Sequence, residues 1–307
     1  MSQNPSTTAA TPTTGMVSAN GLALCYDVRG PAAGPPVVLI MGLGTQMLGW
    51  PEPFCDALAG HGLRVIRFDN RDVGLSSKVN GGGRRDDIRV AFAKAMLGAG
   101  INAPYRLDDM AADTLGLFDG LGLGRVHVVG ASMGGMIAQI LAGRHPERVA
   151  SLTSIMSTSG ARGLPGGSPK VLMRLNSRPK SRRREDVVAH LVSTMRMIGS
   201  PRMQYSREQW TELVSASVNR CHYPAGVSRQ LLAILASGNR VKLLQGMRVP
   251  SLVIHGDADP LLPVANGRHT ALCIPDARLK VMPGMGHDLP PPLHEKLAGM
   301  IAAHAQS

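Results

Sequence analysis

Short apolar runs alternate along the chain with longer stretches in which apolar residues recur every three or four positions. That alternation predicts a mostly parallel sheet flanked by helices, an α/β architecture of about eight strands. Residues 37–41 read as a buried strand ending in Gly42-Leu43-Gly44, and residues 63–69 as another that runs into Asn70-Arg71-Asp72-Val73-Gly74. Residues 106–121 have helical spacing, with Met110, Thr114, Leu117, Phe118 and Leu121 near one face. Val126–Ala131 reads as a strand entering a sharp turn, Met133–Arg144 as the helix that follows, and residues 149–156 as the next strand.

From about Gly160 to Met247 the alternation stops. Helical patterns at residues 186–197 and 207–218 are separated there by Gly and Pro. Strand logic resumes at residues 249–255 and Arg278–Met282, and the chain closes on a helical segment, residues 293–303. The pattern predicts a core domain of residues 16–159 and 248–307, with a helical cap, residues 160–247, inserted over the carboxyl ends of the strands. Ligands bind at those ends in such sheets. A smaller excursion spans residues 78–105, with Gly81-Gly82-Gly83 expected to be flexible and residues 89–97 weakly helical.

Composition narrows the class. The 307 residues include 44% apolar and 18% charged positions, a globular balance, and no window is apolar for the roughly 18 residues of a membrane-spanning helix. Residues 1–15 are small and polar, lack the basic head and apolar stretch of a secretory signal, and are expected to form a disordered tail. The cytoplasm is the expected location. Cys25, Cys55, Cys221 and Cys273 lie far apart without a CxxC pair, so reduced thiols buried as small hydrophobes are expected, and no metal site.

The net charge of +12 invites a nucleic-acid reading, with Arg174, Arg178, Lys180, Arg182, Arg183 and Arg184 as its densest cluster. No binding-module pattern accompanies the cluster, and aromatic residues, at 3%, are too few for stacking platforms. A solvated basic face is the expectation, with neither nucleic acid nor membrane as partner.

The sharpest chemical signal is Gly130-Ala131-Ser132-Met133-Gly134, between a predicted strand and a predicted helix. A serine in such a turn has a strained backbone, needs small neighbours, and presents its hydroxyl at a helix N-terminus. The hydroxyl needs a base, and His287 follows the last predicted strand among flanking glycines. His145, His255, His294 and His304 sit in or beside regular elements and are expected to be surface or packing residues. A carboxylate must hold the base in one tautomer. His255-Gly256-Asp257-Ala258-Asp259-Pro260 offers two, of which Asp259 is preferred to Asp257 because Pro260 fixes the chain beyond it. Asp288 reads as a helix-start or surface residue. The order Ser, Asp, His, each beyond a strand, is that of the hydrolase architecture. Backbone amides of Met133 and Leu43 are the expected donors to a developing oxyanion. Met41, Met47 and Trp50 are expected to line a substrate pocket.

With these residues placed, the chain resembles the α/β-hydrolase superfamily from residue 16 onward, and within it the aclacinomycin methylesterase-like carboxylesterases. The resemblance is carried by Gly49-Trp50-Pro51, by Arg67-Phe68-Asp69-Asn70-Arg71-Asp72-Val73-Gly74-Leu75-Ser76, by residues 130–135 and by Pro283-Gly284-Met285-Gly286-His287. It implies acyl-enzyme catalysis without cofactor or metal, supports Ser132, Asp259 and His287 as the triad and Leu43 and Met133 as oxyanion donors, and makes residues 69–76 a structural loop. The chain departs from many relatives in having Met41-Gly42 where they carry His-Gly. The expected activity is hydrolysis of carboxylic esters of short or medium acyl chain. Carbon–carbon bond hydrolysis, lactone opening, perhydrolysis and acyl transfer use the same triad, and a ligand-binding receptor is the alternative outside enzymes.

Overall fold

The structure is a computed structural model that describes residues 13–79, 85–203 and 205–307. The expectation of a flexible Gly81-Gly82-Gly83 lies outside the described residues, as do residues 1–12.

Eight strands form one sheet: β1 (Thr13–Ala19), β2 (Leu22–Arg29), β3 (Pro36–Ile40), β4 (Arg64–Phe68), β5 (Val126–Ala131), β6 (Val149–Ile155), β7 (Ser251–Gly256) and β8 (Arg278–Met282). Their order is β1-β2-β4-β3-β5-β6-β7-β8. From β4 to β8 every pairing is parallel, whereas β2 runs antiparallel to both β1 and β4. The β1–β2 hairpin departs from the expected tail, since Thr13–Gly15 open β1 instead of being unstructured. Its signal lies in Asn20-Gly21, a two-residue turn with both φ values positive, at 49° and 74°. That conformation matches the twist of paired strands and favours Asn-Gly.

Helices cover both faces. α1 (Glu52–Gly60), α2 (Ile88–Leu97), α3 (Leu107–Gly120) and α4 (Met133–Arg144) precede β6; α10 (Ala265–Cys273) and α11 (His294–Ala305) follow β7. Alternation along β3 decides what each face buries. Val38 and Ile40 join a core with Leu107, Leu117 and Phe118 of α3 and Ile137 and Leu141 of α4. Val37 and Leu39 join a second core with Phe54 and Leu58 of α1 and Leu297 and Ile301 of α11. Central strands are buried on both sides, which is why β3, β5, β6 and β7 read as continuous apolar runs.

Among the described residues between β6 and β7 are five helices: α5 (Pro169–Leu175), α6 (Arg184–Ile198), α7 (Arg207–Arg220), α8 (Pro224–Ser237) and α9 (Val241–Gln245). Polar links hold this insertion to the loops above the sheet. Arg220 of α7 meets Asp69 at 2.6 Å, and Arg229 of α8 meets Asp72 at 2.7 and 2.8 Å. Asp69 also accepts from the amides of Met47 and Leu75, and Asn70 donates to the carbonyl of Met41. The stretch from Asp69 to Ser76 is therefore a buried knot of hydrogen bonds, and losing one partner of such a buried pair typically costs about 3–5 kcal/mol. At the start of α9, Arg240 reaches Gln139 of α4 at 2.9 Å.

All four cysteines are free, with Cys25, Cys55 and Cys273 buried; Cys221, at the end of α7, is only half-buried, against the expectation. No helix of the described residues is long and apolar enough to cross a membrane.

Candidate active site

Because β3, β5, β7 and β8 run parallel, the turns that leave them emerge on one side of the sheet. Ser132 follows β5, Asp259 follows β7, His287 follows β8, and Leu43 follows β3. Residues 155 positions apart are thereby brought together: His287 Nε2 lies 3.0 Å from Ser132 Oγ. On the far side of the ring, Nδ1 lies 2.7 Å from Asp259 Oδ2.

Ser132 occupies φ 55° and ψ −119°, a conformation that L residues rarely adopt. Its surroundings enforce it. The amide of Ser132 donates to the carbonyl of Ile155 at 2.9 Å, and Ser157 Oγ donates to the carbonyl of Ser132 at 2.8 Å. Glycine is required on both sides: a Cβ on Gly130 would lie 2.2 Å from the carbonyl oxygen of Gly134, and one on Gly134 would lie 1.9 Å from that of Ile40. The turn thus holds a half-buried hydroxyl at the start of α4.

Asp259 is the better-placed acid. Its side chain is fully buried, and Oδ1 accepts from the amides of Leu261 and Leu262 at 2.9 and 2.8 Å. Burial pushes its carboxyl up, but the charge of His287, hydrogen bonds from His255 and His287, and the Leu262 amide outweigh that and hold it well below the usual carboxylate range. Asp257 instead is exposed and accepts from the amide of Gly284 at 2.6 Å, pinning the turn after β8.

A Cβ on Gly42 would lie 3.2 Å from that of Ser132, so the main chain after β3 passes close beside the hydroxyl. The amide of Leu43 has no acceptor among the described residues, and that of Met133, as the first residue of α4, has no partner within its helix. The next amide, that of Gly44, is taken by Gln230.

The expected pocket residues are placed differently. Trp50 is fully buried and stacked on Phe54 with centroids 5.6 Å apart, and Met41 belongs to the same apolar cluster. Burying so large a ring in the core outweighs presenting it to a ligand. Met47 is also buried, its amide tied to Asp69. A cavity of about 300 Å³ lies at the β2 side of the sheet, lined by Tyr26, Arg29 and Arg64 among others, and none of the three converging residues touches it.

Other sequence expectations also change. Asp288, expected at a surface or helix start, is only 6% exposed, with both Ser200 N and Ser200 Oγ donating to its Oδ1. His255, expected to pack in its strand, does so, but its Nε2 also lies 3.5 Å from Asp259 Oδ2 while meeting the carbonyl of Leu262 at 2.7 Å. His294 and His304 are buried against the carbonyls of Leu289 and Leu152, and burial lowers the affinity of both rings for a proton. Ser157, Ser200 and Gln230 left no local signal, because each acts on a backbone group far away in the chain. Among the described residues, no group of three or more His, Cys, Asp or Glu side chains is arranged to hold a metal ion.

A serine hydroxyl in a strained strand-to-helix turn, facing an imidazole backed by a buried carboxylate, is an arrangement of the hydrolase class. The chain belongs to the alpha/beta hydrolase fold family, whose model matches residues 35–290. It is 29% identical to rhodomycin D methylesterase from Streptomyces peucetius, over 96% of this chain and 98% of that protein. It is 31% identical to a poly(3-hydroxyalkanoate) depolymerase from Ectopseudomonas oleovorans, over 80% of this chain and 76% of that one. Its fold is similar to that of the enol-lactonase from Burkholderia xenovorans LB400, with a TM-score of 0.73 at 22% identity, covering 95% of this chain and 100% of the other.

Proposed function

We propose that this hydrolase cleaves carboxylic esters through an acyl-enzyme, with Ser132 as nucleophile, His287 as base and Asp259 as the orienting acid. One observation carries the reading: the ring of His287 spans Ser132 Oγ at 3.0 Å and Asp259 Oδ2 at 2.7 Å. A carboxylate at Nδ1 keeps the proton there and leaves Nε2 free to accept. As Oγ attacks the ester carbonyl, its proton passes to Nε2, and Asp259 stabilises the imidazolium. The tetrahedral oxygen is held by the amides of Leu43 and Met133, a contribution of about 3 kcal/mol per donor. His287 then gives the proton to the departing alcohol, and the same ring activates water to release the acid. No cofactor takes part in these steps.

The likeness to rhodomycin D methylesterase supports an ester as substrate and a small alcohol as leaving group. The five helices between β6 and β7 act as a cap over the site and select the acyl part, with short to medium chains preferred. Fluorophosphonate labelling tests the nucleophile: the native chain is labelled and Ser132→Ala is not. Labelling that survives the substitution removes Ser132 from the mechanism. A panel of nitrophenyl esters tests the preference, and turnover only beyond about ten acyl carbons overturns it.

A further inference from the structure

The C-terminal end of α6 lies directly against the loop that carries His287. The amide of His287 donates to the carbonyl of Ile198 at 2.8 Å, and the amide of Gly286 donates to Ser200 Oγ at 2.8 Å. Ser200 Oγ in turn donates to Asp288 Oδ1 at 2.5 Å, and Ser200 N donates to the same oxygen at 2.9 Å. Ser200 is fully buried and Asp288 nearly so, and Asp288 Oδ2 has no hydrogen-bond partner among the described residues. The two backbones touch: a Cβ on Gly286 would lie 2.4 Å from the carbonyl carbon of Gly199. Contact this close, with polar groups paired across it, is a fitted joint between the insertion and the loop.

The first residues of the loop are pinned from beyond β7, where Asp257 accepts from the Gly284 amide and the Ala258 amide donates to the carbonyl of Met285. Gly284 has φ 71°, and Gly286 follows two residues later. The hydrogen bonds of the Gly286 and His287 amides and of the Asp288 carboxylate run instead to residues 198–200. The placement of the ring therefore depends, besides Asp259, on the start of the link between α6 and α7 in the insertion.

We propose that Ser200 and Asp288 form a positioning pair that fixes the His287 ring from the side of the insertion. Ser200 Oγ is its keystone, bonded to the residue before the histidine and to the residue after it. The base is in register with Ser132 only while the end of α6 is seated, so the insertion governs the proton-transfer geometry as well as access. Neither residue touches substrate.

The inference rests on the esterase reading for its kinetic assay alone, because ring placement has a spectroscopic signature of its own. Ser200→Ala, Asp288→Ala, the double variant and Asp288→Asn are compared with Val214→Ala, a core substitution between α6 and α7 that lowers stability without approaching the loop. Ser200→Ala and Asp288→Ala are expected to lower kcat by about 10–100-fold, the range for a small misplacement of a reacting group, with KM little changed. The double variant is expected to lose no more than the worse single one, as for residues acting as a unit. Asp288→Asn keeps the Oδ1 acceptor and is expected to restore most of the activity. In proton NMR, the downfield Nδ1 proton of His287, identified by its loss in His287→Gln, is expected to shift or broaden in Ser200→Ala and stay in place in Val214→Ala. A resonance unmoved by Ser200→Ala overturns the pair, as does a kcat that falls no further than in Val214→Ala. Should Asp288→Ala not fold, Ser200→Ala carries the test, since it removes a single hydroxyl. A native chain inactive on every ester would sink the esterase reading and leave the NMR comparison to decide the pair.

Discussion

The amide of Gly44 donates to Oε1 of Gln230 at 2.8 Å, across 186 positions of sequence. The same side chain donates to the carbonyl of Arg71 at 2.8 Å, so one glutamine of α8 holds two loops beside the site. Gln230 is fully buried, and Gln230→Ala leaves both backbone groups without a partner. An unpaired buried group costs about 1–3 kcal/mol. Thermal melts are expected to show that loss, and ester kinetics a fall in kcat as the neighbouring Leu43 amide drifts. Unchanged kcat with a lower melting temperature would separate the glutamine from the proposed oxyanion donor.

Gly134→Ala places a methyl group 1.9 Å from the carbonyl oxygen of Ile40. Neither backbone has room to yield without moving β3 against α4. Overpacking of this kind costs about 1–3 kcal/mol. The expected outcome is a lower melting temperature together with slower fluorophosphonate labelling of Ser132, and normal labelling would show that the turn tolerates the shift.

Asp259→Asn separates charge from shape. Asn can keep the Oδ1 that accepts from Leu261 and Leu262, so the loop is expected to hold. Its amide facing Nδ1 favours the wrong tautomer of His287, and kcat is expected to fall by about 10⁴-fold, as for the equivalent change in other triads. Asp257→Asn, at an exposed carboxylate, is expected to change kcat little, and the opposite ranking of the two variants would transfer the role to Asp257.

Asp288 gives a dependence of stability on pH. Burial pushes its carboxyl up from the ordinary value of 3.8, partly offset by the hydrogen bonds from Ser200. A raised folded-state value means that the contribution is fully present below pH 3.8 and is lost as pH rises through the folded-state value. Asp288→Asn has no such loss. The difference in melting temperature, variant minus native, is therefore expected to be larger at pH 8 than at pH 3.5. A flat difference would show that the carboxyl ionises as readily in the folded chain as in the unfolded one, and a reversed difference that it ionises more readily.

Much of the fold was legible because it rests on local patterns. Val126–Ala131, Met133–Arg144 and Arg278–Met282 have the bounds that the apolar pattern predicts, since β5 is a buried run, α4 stays apolar for longer than a strand and β8 alternates. The three polar residues were legible for a related reason, as each sits just beyond a strand whose direction is fixed. The β1–β2 hairpin was overlooked despite Asn20-Gly21, because the polar run before it suggested a longer tail than residues 13–15 allow. Trp50 was misread for want of packing information: an aromatic beside a loop can face a ligand or Phe54, and only the third dimension decides. Ser200, Gln230 and Ser157 act through single bonds to distant main chain, which no spacing rule reveals.

The five helices leave after β6 and the chain returns at β7, and these strands are hydrogen-bonded neighbours. A lineage can therefore lengthen, shorten or replace that stretch without reordering a single strand. Such a replacement must still supply partners for the buried carboxylates of Asp69 and Asp72 and for the amides of Gly44, Gly286 and His287. Recombination that keeps those handholds can change what lies beyond the strand ends while the loops beneath stay as they are.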